Sequence, residues 1–357
     1  MDSNKMKKMK SIKLENKKNM LLYLKFKDLS RYIQHYINNL DDEKEKRKHG
    51  FRLRYINLAI SIIKNHPEKI KSSQDLKEYS GIGKGIQARV DEILDTGTLP
   101  ELETKEMESI KEKMNVIEKL SGVHGIGPKM AKQFIEKYKV KNVTELKKKI
   151  KSGEIEVGDK LKIALKHHNK FKTNIPRAEI DIVDQMLAKI IKKVDPDLVY
   201  NIAGSYRRGN PTSNDIDVLF SHKKFTTKNK YHKSKVNLLS KLVKELKKNK
   251  FLIDDLTDDT KEKYMGFSKL KGKPIRRFDL IFIPYNSYPA ALLYFTGSYQ
   301  LNTIMRNKAK QMNMRLNQNG LYEYKDDKLK LIRTTSEKAI FRKLKMKYLE
   351  PEKRNIK

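Results

Sequence analysis

The chain has 357 residues, 38% of them hydrophobic, with 80 Lys and Arg against 44 Asp and Glu and a formal net charge of +36. That length allows two or three domains with modest cores, and a field of that sign draws polyanions, so nucleic acid is the expected partner. The absence of cysteine excludes disulfides, thiolate zinc sites and a thiol nucleophile, which leaves metal chemistry to oxygen ligands, and no long uncharged apolar run or secretory signal favours a membrane.

Residues 1–19 are Lys-rich with few apolar positions and read as a disordered basic extension. Helical spacing begins near residue 20: Phe51, Tyr55, Leu58, Ala59 and Ile62 form an apolar stripe that ends before Pro67, and a second helical pattern surrounds Leu76. Two similar turns follow, Tyr79-Ser80-Gly81-Ile82-Gly83-Lys84-Gly85-Ile86 and Leu120-Ser121-Gly122-Val123-His124-Gly125-Ile126-Gly127-Pro128-Lys129. Glycines in a tight interhelical turn expose successive backbone N–H groups at a helix N-terminus, where a DNA phosphate docks. One such turn could merely close two packed helices, but two copies in so basic a chain favour DNA. Gly81, Gly83, Lys84, Gly85 and Arg89, with Gly125, Gly127 and Lys129, are therefore candidate DNA contacts. In Asn174-Ile175-Pro176-Arg177 the proline biases Ile175 to an extended conformation and marks a boundary. Strands are predicted near 199–202, 215–221 and 277–283, alternating with helices in a mixed sheet.

The chemistry concentrates in Gly204-Ser205-Tyr206-Arg207-Arg208-Gly209 and the nearby Asp215-Ile216-Asp217. Residues i and i+2 of a strand point to one side, so Asp215 and Asp217 present two carboxylates to one volume while Ile216 and Val218 face away. The Gly204-Ser205 turn lets backbone N–H groups and a hydroxyl approach phosphate oxygens, and Arg208 adds a charge-assisted donor. Paired carboxylates beside a phosphate cradle point to nucleotidyl transfer with two metal ions.

These motifs resemble the nucleotidyltransferase signature of family X DNA polymerases of the polymerase beta type. The resemblance supplies a third metal-binding carboxylate, Asp279, in Arg276-Arg277-Phe278-Asp279-Leu280-Ile281. It also places Arg177, Asn214, Tyr294-Phe295-Thr296-Gly297-Ser298 and Asn302 at the incoming nucleotide, and Arg277 and Arg306 at DNA. It implies an α+β multidomain fold: a lyase-like helical domain with the first helix-hairpin-helix over 20–103, a DNA-binding helical subdomain with the second over 104–178, a catalytic palm with a mixed β-sheet over 179–285, and a small α/β subdomain for the nascent base pair over 286–357. The implied reaction is template-directed filling of short gaps in DNA repair of the base excision type. The implied cofactors are two Mg²⁺, with Mn²⁺ as an alternative, held by Asp215, Asp217 and Asp279. A monovalent cation, Na⁺ or K⁺, is implied at each hairpin through the carbonyls of Lys77, Tyr79 and Ile82 and of Ser121, Val123 and Ile126. The substrates would be a dNTP and gapped or nicked double-stranded DNA, acted on by a monomer, with a separate DNA ligase following.

The chain departs from the family pattern in places. Arg89 stands where lyase-competent members carry a Schiff-base lysine, and Ile56 where they carry a tyrosine. A guanidinium stays protonated and forms no imine, so lyase activity would need another amine such as Lys84. Tyr299 replaces an acidic or small residue. The short turn at Lys271-Gly272-Lys273-Pro274 lacks the longer loop of template-independent relatives, which favours templated synthesis. Neither a BRCT-like module nor an exonuclease is expected within the chain.

Overall fold

The computed structural model describes residues 14–170, 173–258, 260–326 and 328–356. Residues 1–13 of the expected extension lie outside them, but residues 14–19 correct that reading. Leu14 is buried, Glu15 N donates to Lys64 O, and the buried Asn19 side chain donates to Glu68 O while accepting from Ile70 N. An asparagine that satisfies a donor and an acceptor of a facing loop orders a stretch whose composition alone reads as solvated.

The chain forms two compact units, one running up to Gly122 with Gly127–Leu146, the other combining Val123–Ile126 with the residues from Lys147 onward. The division between the two units runs through the segment 104–178. Within the second unit, a Cβ at Gly125 would lie 3.9 Å from Leu161.

In the first unit, the helices Met20–Asn39, Glu43–Asn65 and Lys84–Thr96 surround a core that includes Leu22, Phe26, Leu29, Ile56, Ile63, Val90 and Ile93. Asp42 caps the second helix by accepting from Lys44 N. Its buried face is Ile56, Ala59, Ile60 and Ile63, which corrects the predicted stripe: Phe51, Tyr55 and Leu58 are exposed. Both sets fit a 3.6-residue period, and one residue of offset rotates the face by about 100°.

Both hairpins fold alike. Gly81 and Gly125 take φ of +91° and +87°, a region a side chain disfavours, and Gly83 and Gly127 start the helices Lys84–Thr96 and Pro128–Tyr138. Ile82 N donates to Tyr79 O and Ile126 N to Val123 O, closing each turn over a buried isoleucine.

The second unit is built on a five-stranded mixed sheet. Its strands are β2 (Leu198–Ile202), β4 (Ile216–His222), β5 (Leu252–Asp255), β6 (Lys263–Ser268) and β7 (Arg276–Phe282), in the order β2-β4-β7-β6-β5, with β4 and β7 parallel and the other neighbours antiparallel. A two-residue strand β1 (Ile175–Pro176) pairs with β3 (Thr212–Ser213). Ile216, Val218 and Phe220 pair in register with Phe278, Leu280 and Phe282, and all six are buried in one core with the helices Arg177–Val194 and Leu238–Lys248. The period of two then puts Asp217, Leu219, Asp279 and Ile281 on the other face. There Leu219 and Ile281 pack with Ala203 and Ala291, the latter from the helix Tyr288–Thr296.

The carboxy-terminal part carries the helices Tyr299–Gln311 and Glu337–Lys343 and an antiparallel sheet of β8 (Met314–Asn317), β9 (Gly320–Lys325) and β10 (Lys328–Ile332), ordered β10-β9-β8. Leu293, Leu301, Met305, Leu321, Ile340 and Phe341 form its core. No helix among the described residues is long and apolar enough to cross a membrane.

Candidate active site

Asp217 and Asp279 are direct partners across the parallel strands β4 and β7, and Asp215 lies just before β4 on the same side of the period. Burial and then the fields of Asp215 and Asp279 push the Asp217 carboxyl up to about 7. Burial also raises Asp215 and Asp279, against the lowering influence of Arg277 and, for Asp279, of Lys263. Three neighbouring carboxylates whose fields reach one another, though their oxygens do not all lie within 4.8 Å, suit hard divalent cations, which relieve that repulsion.

Two cations of the chain already lean on this site. Arg277 Nη2 donates to Asp279 Oδ1 at 2.7 Å, and Lys263 Nζ lies 3.7 Å from Asp279 Oδ2. Arg277 Nη1 is buried without a hydrogen-bond partner. Lys263 carries no local sequence signal, because only the β6–β7 register brings it diagonally opposite Asp279.

The segment expected as a Gly-Ser turn forms a short helix, Gly204–Arg207. Gly204 has φ +62°, and a Cβ there would meet Asp217 Oδ2 at 3.8 Å, so the turn and the carboxylates are neighbours. Ala203 N also donates to Asp217 O. Ser205 Oγ donates to Ser213 Oγ at 2.8 Å, and Asn210 N donates to Ser205 O. Arg177 sits with its guanidinium carbon 4.4 Å from the Tyr206 ring centre and donates to Tyr206 O at 2.7 Å. Arg208 Nη1 donates to Thr296 O and its Nε to Asn355 Oδ1. Asn214, just before Asp215, is exposed.

Asn302 and Arg306 do share one helix face. Asn302 Nδ2 donates to Tyr294 O at 2.8 Å, and the Arg306 guanidinium carbon lies 5.3 Å from the Tyr294 ring centre, with the Phe295 ring 5.2 Å from that of Tyr294. Gly297, at φ +70°, ends the helix Tyr288–Thr296, and Tyr299 is 79% exposed.

At the first hairpin, Arg89 Nε donates to Glu101 Oε1 at 2.6 Å and its Nη1 to Gly85 O, while Arg52 pairs with the same glutamate. Arg89 is thus held by protein groups, and Lys84 lies exposed at the start of its helix. Of the carbonyls expected to hold monovalent cations, Tyr79 O and Val123 O accept the turn-closing bonds and Ile82 O accepts from Gln87 Nε2.

One further cluster with metal-ligand chemistry lies at the far end of β4, where Asp195, Asp197 and buried His222 approach one another. His222 Nδ1 accepts from Lys224 N, so the neutral ring carries its proton on Nε2, facing Asp195 Oδ2 at 3.4 Å.

Comparison with known proteins matches three family models: one described as DNA polymerase beta palm over residues 174–285, one as DNA polymerase beta thumb over 291–355, and one as a helix-hairpin-helix domain over 28–99. The chain is 29% identical over 311 residues to DNA polymerase lambda of Rattus norvegicus, covering 83% of this chain and 51% of that protein. It is 31% identical over 316 residues to DNA polymerase lambda of Arabidopsis thaliana, covering 84% of this chain and 57% of that protein. A DNA nucleotidylexotransferase of Xenopus laevis is 26% identical over 329 residues, covering 83% of this chain and 62% of that protein. The chain thus spans little more than half the length of the polymerase lambda relatives it matches.

Proposed function

This chain belongs to the family X DNA polymerases, and on that premise we propose that it is a DNA-directed DNA polymerase that fills short gaps during repair of the base excision type. The observation that carries the reading is the in-register pairing of Asp217 with Asp279 beside the Gly204 turn. It sets a carboxylate cluster against a phosphate-binding backbone.

Asp215, Asp217 and Asp279 are the residues that would hold two divalent ions, Mg²⁺ or Mn²⁺. Such ions, when bound, neutralise triphosphate charge and lower the pKa of a primer 3′-hydroxyl. The rest falls to the chain's own groups. Asp279 would accept the hydroxyl proton, and Arg277, whose Nη2 now donates to Asp279 Oδ1, would have to release it first. Backbone N–H groups near Gly204 and Ser205, with Arg208 and Arg177, orient the triphosphate. The Tyr294–Gly297 segment flanks the sugar, and Asn302 and Arg306 meet the nascent pair. Positioning and charge neutralisation are what phosphoryl transfer chiefly asks of a protein.

The two hairpins would grip the backbone of gapped or nicked duplex; the carbonyls of Lys77, Tyr79 and Ile82 and of Ser121, Val123 and Ile126 are those that would hold Na⁺ or K⁺, and a separate ligase would seal the product. Arg89 takes no part as a lyase nucleophile, because a guanidinium forms no imine.

The test supplies each dNTP singly to the full chain on a one-nucleotide gap bearing a 5′-phosphate, with Asp279→Ala in parallel. Incorporation of the complementary nucleotide alone, reduced at least about a thousandfold in the variant, is expected. A second reading, untemplated terminal transfer, has support from the resemblance to a nucleotidylexotransferase. Addition regardless of the template base would favour it; the short connection 269–275 between β6 and β7 supports the templated reading.

A further inference from the structure

The residues after the last helix return to the phosphate-binding turn and fasten it from behind. Asn355 accepts from Arg208 Nε at 2.8 Å, while its Nδ2 lies within hydrogen-bond distance of Arg208 O at 3.3 Å and Asn210 Oδ1 at 2.8 Å. One side chain thereby bridges residues 208 and 210 across Gly209, whose φ is +74°. A Cβ added at Gly209 would meet Glu352 Cγ at 3.2 Å, so the strap also lies against the turn's backbone.

The strap is itself anchored. Arg354 is fully buried, with Nη1 donating to Glu337 Oε1 at 2.6 Å and Nε to Leu349 O at 2.9 Å, and its guanidinium lies over the Phe341 and Tyr348 rings. Glu337 also takes Arg207 Nη2 at 2.6 Å, and Arg207 Nη1 reaches Thr296 Oγ1 at 2.7 Å. Consecutive residues of the phosphate motif, Arg207 and Arg208, are therefore both tied to the segment 337–355 and to Thr296.

From these contacts we infer that Asn355 is a positioning residue for the nucleotide triphosphate, acting through Arg208 and the 204–210 turn; this rests on the polymerase reading above. With Nε and Nη1 committed to Asn355 and Thr296, Arg208 presents Nη2 as the edge for a phosphate oxygen. A glycine-containing turn that must aim several N–H groups at one anion loses conformational freedom when the anion binds. Fixing that turn beforehand lowers this entropic cost, so the strap acts on nucleotide affinity more than on the chemical step.

The test uses the full chain on a single-nucleotide gap, with dNTP titrations giving KM and kcat separately and amide hydrogen exchange read over residues 204–210. Asn355→Ala is expected to raise KM about fivefold with kcat changed less than about twofold, and to speed exchange in the turn. Asn355→Asp, which keeps the acceptor for Arg208 Nε but loses the donors, is expected to fall between. Lys353→Ala, an exposed neighbour on the same segment, serves as the control and should match wild type. An active wild type with unchanged KM and exchange in Asn355→Ala overturns the role of Asn355 alone. A wild type that incorporates nothing overturns the polymerase reading and this role together.

Discussion

Two regions of the molecule use the same arrangement, a glutamate between two arginines, to different ends. In the first unit Glu101 joins Arg52 and Arg89 on a partly exposed surface, the three side chains being 24–33% exposed. In the carboxy-terminal part Glu337 joins Arg207 and Arg354 with side-chain exposures of 8%, 19% and 0%. Water screens the first cluster and makes each of its ion pairs weak. The second is shut away, so it is costly to break, and it pins Arg207 in the short helix Gly204–Arg207. Identical residue types thus give a surface clamp in one place and a structural pin in the other, and burial makes the difference.

The comparison breaks most visibly at Glu337. Glu337→Gln leaves the buried Arg354 and the partly buried Arg207 without their counter-charge and is expected to cost about 3 kcal/mol of stability, read by urea unfolding. A loss below about 1 kcal/mol would place this cluster with the exposed one.

Acid sharpens the same point. Burial alone would raise the Glu337 carboxyl, but hydrogen bonds from Arg207 and Arg354 outweigh it and hold the group below the usual carboxylate range. A carboxyl depressed in the folded state contributes stability that is present above its unfolded pKa of about 4.3 and is lost as pH falls through the folded value. Wild type should therefore lose stability below about pH 4.3 more steeply than Glu337→Gln. Parallel unfolding curves over that acid range would contradict the assignment.

Glu101→Gln should cost less, about 1 kcal/mol or under by the same unfolding measurement, because solvent reaches all three side chains. The smallest change in stability is expected for Arg89→Lys, which keeps the charge beside Glu101. Its interest is chemical. A lysine there supplies the amine that the wild type lacks, so borohydride should trap a covalent adduct with DNA bearing a 5′-deoxyribose phosphate in the variant and not in wild type. Trapping in wild type, lost in Lys84→Ala, would instead identify Lys84 as the nucleophile.

How much was legible depended on the distance over which each feature is decided. The spacing of Asp215 and Asp217, the glycines of the two hairpins and the Pro176 boundary are local, and they foretold the shared carboxylate face, the positive-φ turns and the start of the helix at Arg177. The predicted strands shifted by about a residue at their ends. The stripe through Phe51, Tyr55 and Leu58 is not the buried face, because a helix with two apolar faces does not say which one meets a neighbour. Arg354 gave no signal: an arginine in a polar carboxy-terminal run reads as solvated, yet it is fully buried.

The α+β class, the nucleotidyltransferase motif and the residues that could carry charge at the site are written locally in the amino-acid order, because strand alternation and glycine freedom act within a few residues. Which partner each charge meets is set by long-range packing: Lys263 and Arg277 against Asp279, Glu101 against Arg89, Glu337 against Arg207 and Arg354, and Asn355 against Arg208. A charged side chain takes its partner from whatever the packed core brings near it, and that pairing joins residues up to 147 positions apart.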